Sequence, residues 1–166
     1  MWNWLVSALT VGATIYLYDG SPFARKGRVL WEMAEEEKLT VFGGGAKFFS
    51  ATQKAGIRPG DEFDLTNLKT ILSTGSVLAP ETFDFLYDGV SEDVQVASIS
   101  GGTDIIGCFA GGNPMLPVRR GELQCLALGM DVQIFNDEGE QVIGENGELV
   151  CCNAFPSMPI GFWNDP

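Results

Sequence analysis

The chemistry-bearing stretch of this chain is Ser98-Ile99-Ser100-Gly101-Gly102-Thr103-Asp104, where an apolar run ending at Ile99 gives way to two glycines, a hydroxyl and a carboxylate. Such a string suits a phosphate. Glycines let the backbone approach an anion closely, the Thr103 hydroxyl can donate to a phosphate oxygen, and the Asp104 carboxylate can take the magnesium that travels with a nucleotide. The plainer alternative is a strand followed by an ordinary glycine turn. A second junction lies upstream, in Ile71-Leu72-Ser73-Thr74-Gly75-Ser76-Val77-Leu78-Ala79-Pro80-Glu81. There Gly75, Ser76 and Val77 offer a backbone surface against which a flat adenine can lie.

Regular elements must hold these two loops. Strands are expected at 14–18, 40–42, 70–73 and 94–99. A helix is expected over 27–38, where Val29, Leu30, Met33 and Leu39 form an apolar stripe beside Glu32, Glu35 and Glu36. Pro80 opens another over 81–87, with Phe83, Leu86 and Tyr87 as its apolar positions. Alternation of this kind implies an α/β fold, a parallel sheet with helices on both faces. Ligands of such sheets bind in the crevice beyond the carboxyl ends of the strands, and both junctions directly follow strands.

From about residue 120 the pattern changes to strands at 122–126, 131–135 and 147–152. Asn136-Asp137-Glu138-Gly139 provides a hairpin turn. The acidic cluster over 137–148 reads as solvated turn surface rather than a metal site. Asn113-Pro114-Met115-Leu116-Pro117 breaks any regular element. The expected division is therefore an α/β subdomain over 1–115 and a β-rich subdomain, the start of a small barrel, over 116–166.

Composition excludes several functions. Twenty-two acidic against 10 basic residues give a net charge of −12, so the basic face that displaces counterions from nucleic acid is missing. The absence of histidine removes Ser-His-Asp catalysis, imidazole zinc sites and any histidine general base. Cys108, Cys125, Cys151 and Cys152 contain no C-x-x-C pair and read as reduced packing residues of a cytoplasmic protein. The apolar stretch over 2–17 lacks a basic leader and an Ala-x-Ala cleavage pattern, and Asn3 and Gly12 interrupt it. It also falls short of the roughly 20 apolar residues of a membrane span. A buried helix leading into a strand is the expectation there.

Taken in chain order, Trp2-Asn3-Trp4-Leu5-Val6-Ser7, Gly12-Ala13-Thr14, Leu17-Tyr18-Asp19-Gly20-Ser21-Pro22, Ser73-Thr74-Gly75-Ser76, residues 98–104, Gly147-Glu148-Leu149-Val150-Cys151 and Phe155-Pro156-Ser157-Met158-Pro159-Ile160-Gly161-Phe162-Trp163-Asn164-Asp165-Pro166 resemble the adenylate-forming, AMP-binding synthetases. The resemblance covers essentially the whole chain. Its most specific parts, the Ser-Gly-Gly-Thr-Asp block and the closing segment, depart from the general family pattern as the acetoacetyl-CoA synthetases do.

The resemblance implies the central AMP- and acyl-binding part of an ATP-dependent acetoacetate:CoA ligase, inactive without the remainder of the parent chain. Its substrates are acetoacetate, ATP and CoA, with Mg2+ as the metal, and neither nucleic acid nor membrane is a partner. It makes Thr103 and Asp104 the catalytic pair, with Thr103 on the AMP phosphate and Asp104 as magnesium ligand where the wider family has Glu. Gly75, Ser76, Val77, Ser98, Ile99, Ser100, Gly101, Gly102 and Thr103 then hold AMP. Gly101 and Gly102 replace bulky aromatic residues of acetyl-activating relatives, so they either widen the acyl pocket or only serve the turn. Trp2 and Trp4 are weaker acyl-site candidates. After the Gly43-Gly44-Gly45 triplet, Lys47 is placed either to neutralise a keto-acid carboxylate or CoA phosphate, or to lie solvated at a helix start. Readings from other classes are a non-catalytic nucleotide-binding module and a purely structural fragment. Within the enzyme reading, acetate or propionate are the alternative substrates.

Overall fold

A computed structural model describes residues 6–164. Three strands, β1 (Val41–Gly45), β2 (Thr70–Thr74) and β3 (Gln95–Ser98), form a parallel sheet in the order β1-β2-β3. Its register sets Phe42 beside Ile71 and Ile71 beside Val96. Alternation along each strand puts these three buried side chains on one face.

Helices α1 (Val29–Glu36), α2 (Ala46–Lys54), α3 (Pro59–Glu62) and α4 (Pro80–Gly89) are interleaved with the strands. Trp31 of α1 stacks on Phe42 with ring centroids 4.8 Å apart, and Phe48 and Phe49 of α2 close the same aromatic group. Phe83 and Leu86 of α4 join that core. In this strand order right-handed crossovers carry α2 and α4 to the same face. The class is thus α/β with a parallel sheet, as expected, and the described helices cover the Phe42–Ile71–Val96 face. On the other face Val41 is half exposed.

Local chemistry moves several boundaries. Helix α1 starts at Val29 because Arg25, Lys26 and Gly27 all take left-handed backbone angles. No strand forms at 14–18: Tyr18 folds over Gly20 and its hydroxyl donates to the Ser21 carbonyl at 3.2 Å, turning the chain back on itself. Nor is there a buried helix before it among the described residues: Val6 and Ser7 are helical but exposed, a 3-10 turn over Ala8–Val11 with no buried residue follows them, and Trp2 and Trp4 lie outside the described residues.

The chain gathers into two compact units. One comprises Tyr16–Ser100 with Gly112–Gln124 and holds the parallel sheet. The other comprises Gly101–Gly111 and the residues from Cys125 onward, with those before Tyr16. The two interleave along the sequence instead of following one another at 115/116, because β5 (Gly107–Gly111) pairs with β6 (Cys125–Leu126) across the intervening loop.

In the second unit β4 (Ser100–Gly102), β5 and β6 form a small sheet. β7 (Val132–Phe135) and β8 (Glu148–Cys151) pair antiparallel. The Asn136–Gly139 turn is formed as expected, closed by Gly139 N–H donating to the Asn136 carbonyl at 3.0 Å. The strand expected at 122–126 shrinks to β6, because the Gln124 side chain is drawn into the preceding loop. Its amide makes four hydrogen bonds, with Gln95, with both the N–H and the carbonyl of Asn113, and with the Leu116 carbonyl.

Candidate functional site

The ends of β2 and β3 are tied together by two hydrogen bonds. The Ile99 N–H donates to the Ser73 carbonyl at 2.8 Å, and the Thr74 hydroxyl donates to the Ile99 carbonyl at 3.3 Å. In this way the chain brings the 75–77 loop and residues 98–100 to the same carboxyl edge of the sheet. Gly75 makes the turn out of β2 with φ +84°, a conformation that glycine adopts without steric cost. Gly75, Ser76 and Val77 are exposed, Val77 to 87 %. Buried Leu78 and the Pro80 start of α4 fix the far side of the loop.

Beside this loop lies a shallow cavity of about 310 Å³ lined by Lys47, Ser50, Lys54, Ser76, Val77 and Thr82, among others. Lys47 and the 75–77 loop, read separately from the sequence, therefore share one surface. Lys54 and Ser50 were not foreseen, although their spacing along α2 puts 47, 50 and 54 on one helical face. The glycine triplet has a different explanation at its centre. A Cβ on Gly44 would sit 2.9 Å from the Phe49 ring, so glycine there lets that ring lie on the sheet rather than admitting a ligand.

Thr103 and Asp104 are exposed on the turn between β4 and β5. The Ile106 N–H donates to the Thr103 carbonyl at 3.1 Å and closes the turn. The two preceding glycines differ in purpose. A Cβ on Gly101 would lie 2.5 Å from Cys108 Cα and closer still to the Gly107 carbonyl oxygen, so Gly101 is required for β4 to approach β5. A Cβ on Gly102 would meet nothing nearer than the Asp104 nitrogen at 4.0 Å. Of the two, only Gly102 faces open space. Behind the turn, burial first and Cys125 second push the Cys108 thiol up. Among the described residues no group of three or more Cys, Asp or Glu side chains could hold a metal by itself. The acidic residues over 137–148 are exposed, those from Asp137 to Glu145 in turns and loops and Glu148 at the start of β8.

A family model of AMP-binding enzymes matches residues 1–156. This chain belongs to that family. The acetoacetyl-coenzyme A synthetase of Rhizobium meliloti (strain 1021) is 57% identical over 166 residues, which are 100% of this chain and 26% of that protein. The acetoacetyl-CoA synthetase of Xenopus tropicalis is 46% identical over 165 residues, 99% of this chain and 25% of that one. The solved structure of acetoacetyl-CoA synthetase from Streptomyces lividans matches with a TM-score of 0.90 at 47% identity, over 99% of this chain and 26% of that chain. At the level of fold, an anthranilate CoA ligase in complex with anthranoyl-AMP matches over 83% of this chain with a TM-score of 0.71 and 22% identity. The membership read from the motifs is borne out, and the chain spans about a quarter of the length of these curated relatives. No helix among the described residues is long and apolar enough to cross a membrane.

Proposed function

We propose that this chain is the central nucleotide- and acyl-binding part of an acetoacetate:CoA ligase, which joins the acid to AMP at the expense of ATP and then passes the acyl group to the CoA thiol. The observation that carries this reading is the β4–β5 turn. An exposed hydroxyl and an exposed carboxylate stand side by side on a turn fixed by its own backbone, in a chain 57% identical to an acetoacetyl-coenzyme A synthetase.

In this reading the exposed backbone at Gly75, Ser76 and Val77 receives the adenine. Ser98, Ile99, Ser100, Gly101 and Gly102 run beneath the α-phosphate. The Thr103 hydroxyl donates to a phosphate oxygen. The donor set fits magnesium: this ion is held by one or two carboxylates, with waters and substrate phosphates filling its octahedron, so Asp104 alone suffices where a protein cage of three acids is absent. When bound, magnesium neutralises charge that develops on the phosphates. The task of this chain is positioning and charge stabilisation, which needs no histidine base.

Open space at Gly102 accords with a four-carbon keto acid. Lys47 and Lys54, on the cavity beside the 75–77 loop, suit an anionic group such as a CoA phosphate. The free cysteines suit a reducing, cytoplasmic setting.

The test is Asp104→Asn in a complete synthetase carrying this segment, followed by acetoacetate-dependent pyrophosphate exchange. Loss of one charge interaction made in the transition state is expected to slow exchange on the order of 10²-fold. An unchanged rate with unchanged magnesium dependence would make Asp104 a turn residue and nothing more.

A further inference from the structure

Five non-glycine residues among those described have positive φ: Arg25, Lys26, Lys38, Ile106 and Asn164. Of these, Ile106 alone is β-branched, and its φ is +56°. For a β-branched side chain this conformation is a true outlier, disfavoured relative to the ordinary right-handed or extended forms. The position is one that glycine or asparagine fills in a hairpin turn of this kind.

Burial does not account for the isoleucine. Its neighbour Ile105 supplies the turn's core contact at 9 % exposure, whereas Ile106 is 44 % exposed. The hydrogen bond that closes the turn uses only its backbone N–H. The closure of the turn does not use this side chain, and its neighbour is far more deeply buried. Strain kept where it serves no structural end marks a functional contact.

We infer that Ile106 is a specificity-determining residue, whose side chain offers an apolar contact to the acyl group at the site where Thr103 and Asp104 engage the phosphate and its metal. The inference rests on the adenylation reading above. An apolar wall at this point favours a carbon chain longer than acetate's, and Gly102, with open space over it, leaves room for that chain.

The test compares Ile106→Gly and Ile106→Asn, both compatible with a left-handed backbone, in a complete synthetase carrying this segment. Readouts are kcat/KM for acetoacetate and for acetate, KM for ATP, and thermal midpoint. For both variants kcat/KM for acetoacetate is expected to fall about 10-fold or more, the effect of removing apolar contact from an acyl pocket. Acetate should lose less, KM for ATP should hold, and the midpoint of Ile106→Gly should not fall. Equal losses toward the two acids, or none, would overturn the inference, as would a lowered midpoint in both variants, which would make the side chain a packing residue. Asp104→Asn measured alongside separates the two readings. If it abolishes exchange while the Ile106 variants keep their acid preference, the specificity claim alone fails. If it changes nothing, both fall.

Discussion

Replacing Gly101 with alanine isolates the device that holds the Thr103–Asp104 turn. The added Cβ would lie 2.5 Å from Cys108 Cα and closer to the Gly107 carbonyl oxygen, against 3.4–4 Å for ordinary contact, so β4 and β5 would have to part by about 1 Å. Both obstructing atoms are backbone, so no side chain can rotate away. Overpacking of this severity costs about 1–3 kcal/mol, and the opened ladder forfeits one or two hydrogen bonds worth about 1 kcal/mol each. The sum, roughly 2–5 kcal/mol, corresponds to a fall of about 4–20 °C in thermal midpoint for a chain of this size. Gly102→Ala is the internal control: its Cβ meets nothing within ordinary contact except the Asp104 nitrogen at 4.0 Å, and its midpoint should stay within about 2 °C. Thermal unfolding followed by circular dichroism reads both. Equal midpoints for the two variants would refute the claim that close approach, rather than ligand, fixes residue 101.

Two other outcomes follow from contacts in the first unit. Gln124→Leu removes four hydrogen bonds, three to the 113–116 segment and one to Gln95. It should lower stability by about 2–4 kcal/mol, read as a shifted urea midpoint, and should speed proteolytic cleavage within 113–117; a resistant loop would show that the proline residues suffice. The Arg58 guanidinium holds the Asp88 carboxyl below its ordinary range, by hydrogen bonding first and by charge second. A carboxyl depressed in the fold contributes stability that is present above its unfolded pKa of about 3.9 and lost as pH falls through the lower folded value. Asp88→Asn should therefore weaken the chain at neutral pH and flatten its stability profile below the ordinary carboxylate range. An acid limb as steep as that of the parent chain would assign the pH dependence to other groups.

What could be read from the sequence was the set of elements whose local pattern and tertiary use agree. Ile71 and Val96 lie in apolar runs that end in glycine or serine, and both became strands of the parallel sheet. Phe83 and Leu86 became the inward face of α4. Where a side chain reaches outside its own element, pattern failed. Tyr18 is a good strand residue that bonds to Ser21 instead. Glu122-Leu123-Gln124-Cys125-Leu126 alternates as a strand should, yet Gln124 finds better partners in the loop before it. Trp31, fully buried, fell outside the apolar stripe drawn through Val29, Leu30 and Met33, because the face of α1 turned to the core is the one that carries Val29, Trp31 and Ala34, with Leu30 and Met33 only partly buried. The site shows the same division. The types and order of Ser98 to Asp104 prompt the reading of a phosphate loop, but only the three-dimensional structure distinguishes Gly101 from Gly102. Nothing in the sequence announces that Ile106 adopts a glycine's conformation.

The candidate turn draws its rigidity from a source other than core packing. Among the described buried hydrophobic residues only Ile105 and Ala110 belong to the second unit. Two such side chains contribute about 2–5 kcal/mol of burial, little for fixing a hydroxyl and a carboxylate within the fraction of an ångström that transition-state stabilisation demands. Backbone geometry supplies the remainder. The Gly101 approach sets the spacing of β4 and β5, and the Ile106 N–H sets the closure of the turn. Both act through groups that have no rotamers to sample. A site built in this way tolerates side-chain substitution at Thr103 and Asp104 without loss of fold. Defects in chemistry at these two positions should therefore separate cleanly from defects in stability, whereas at Gly101 the two cannot be parted.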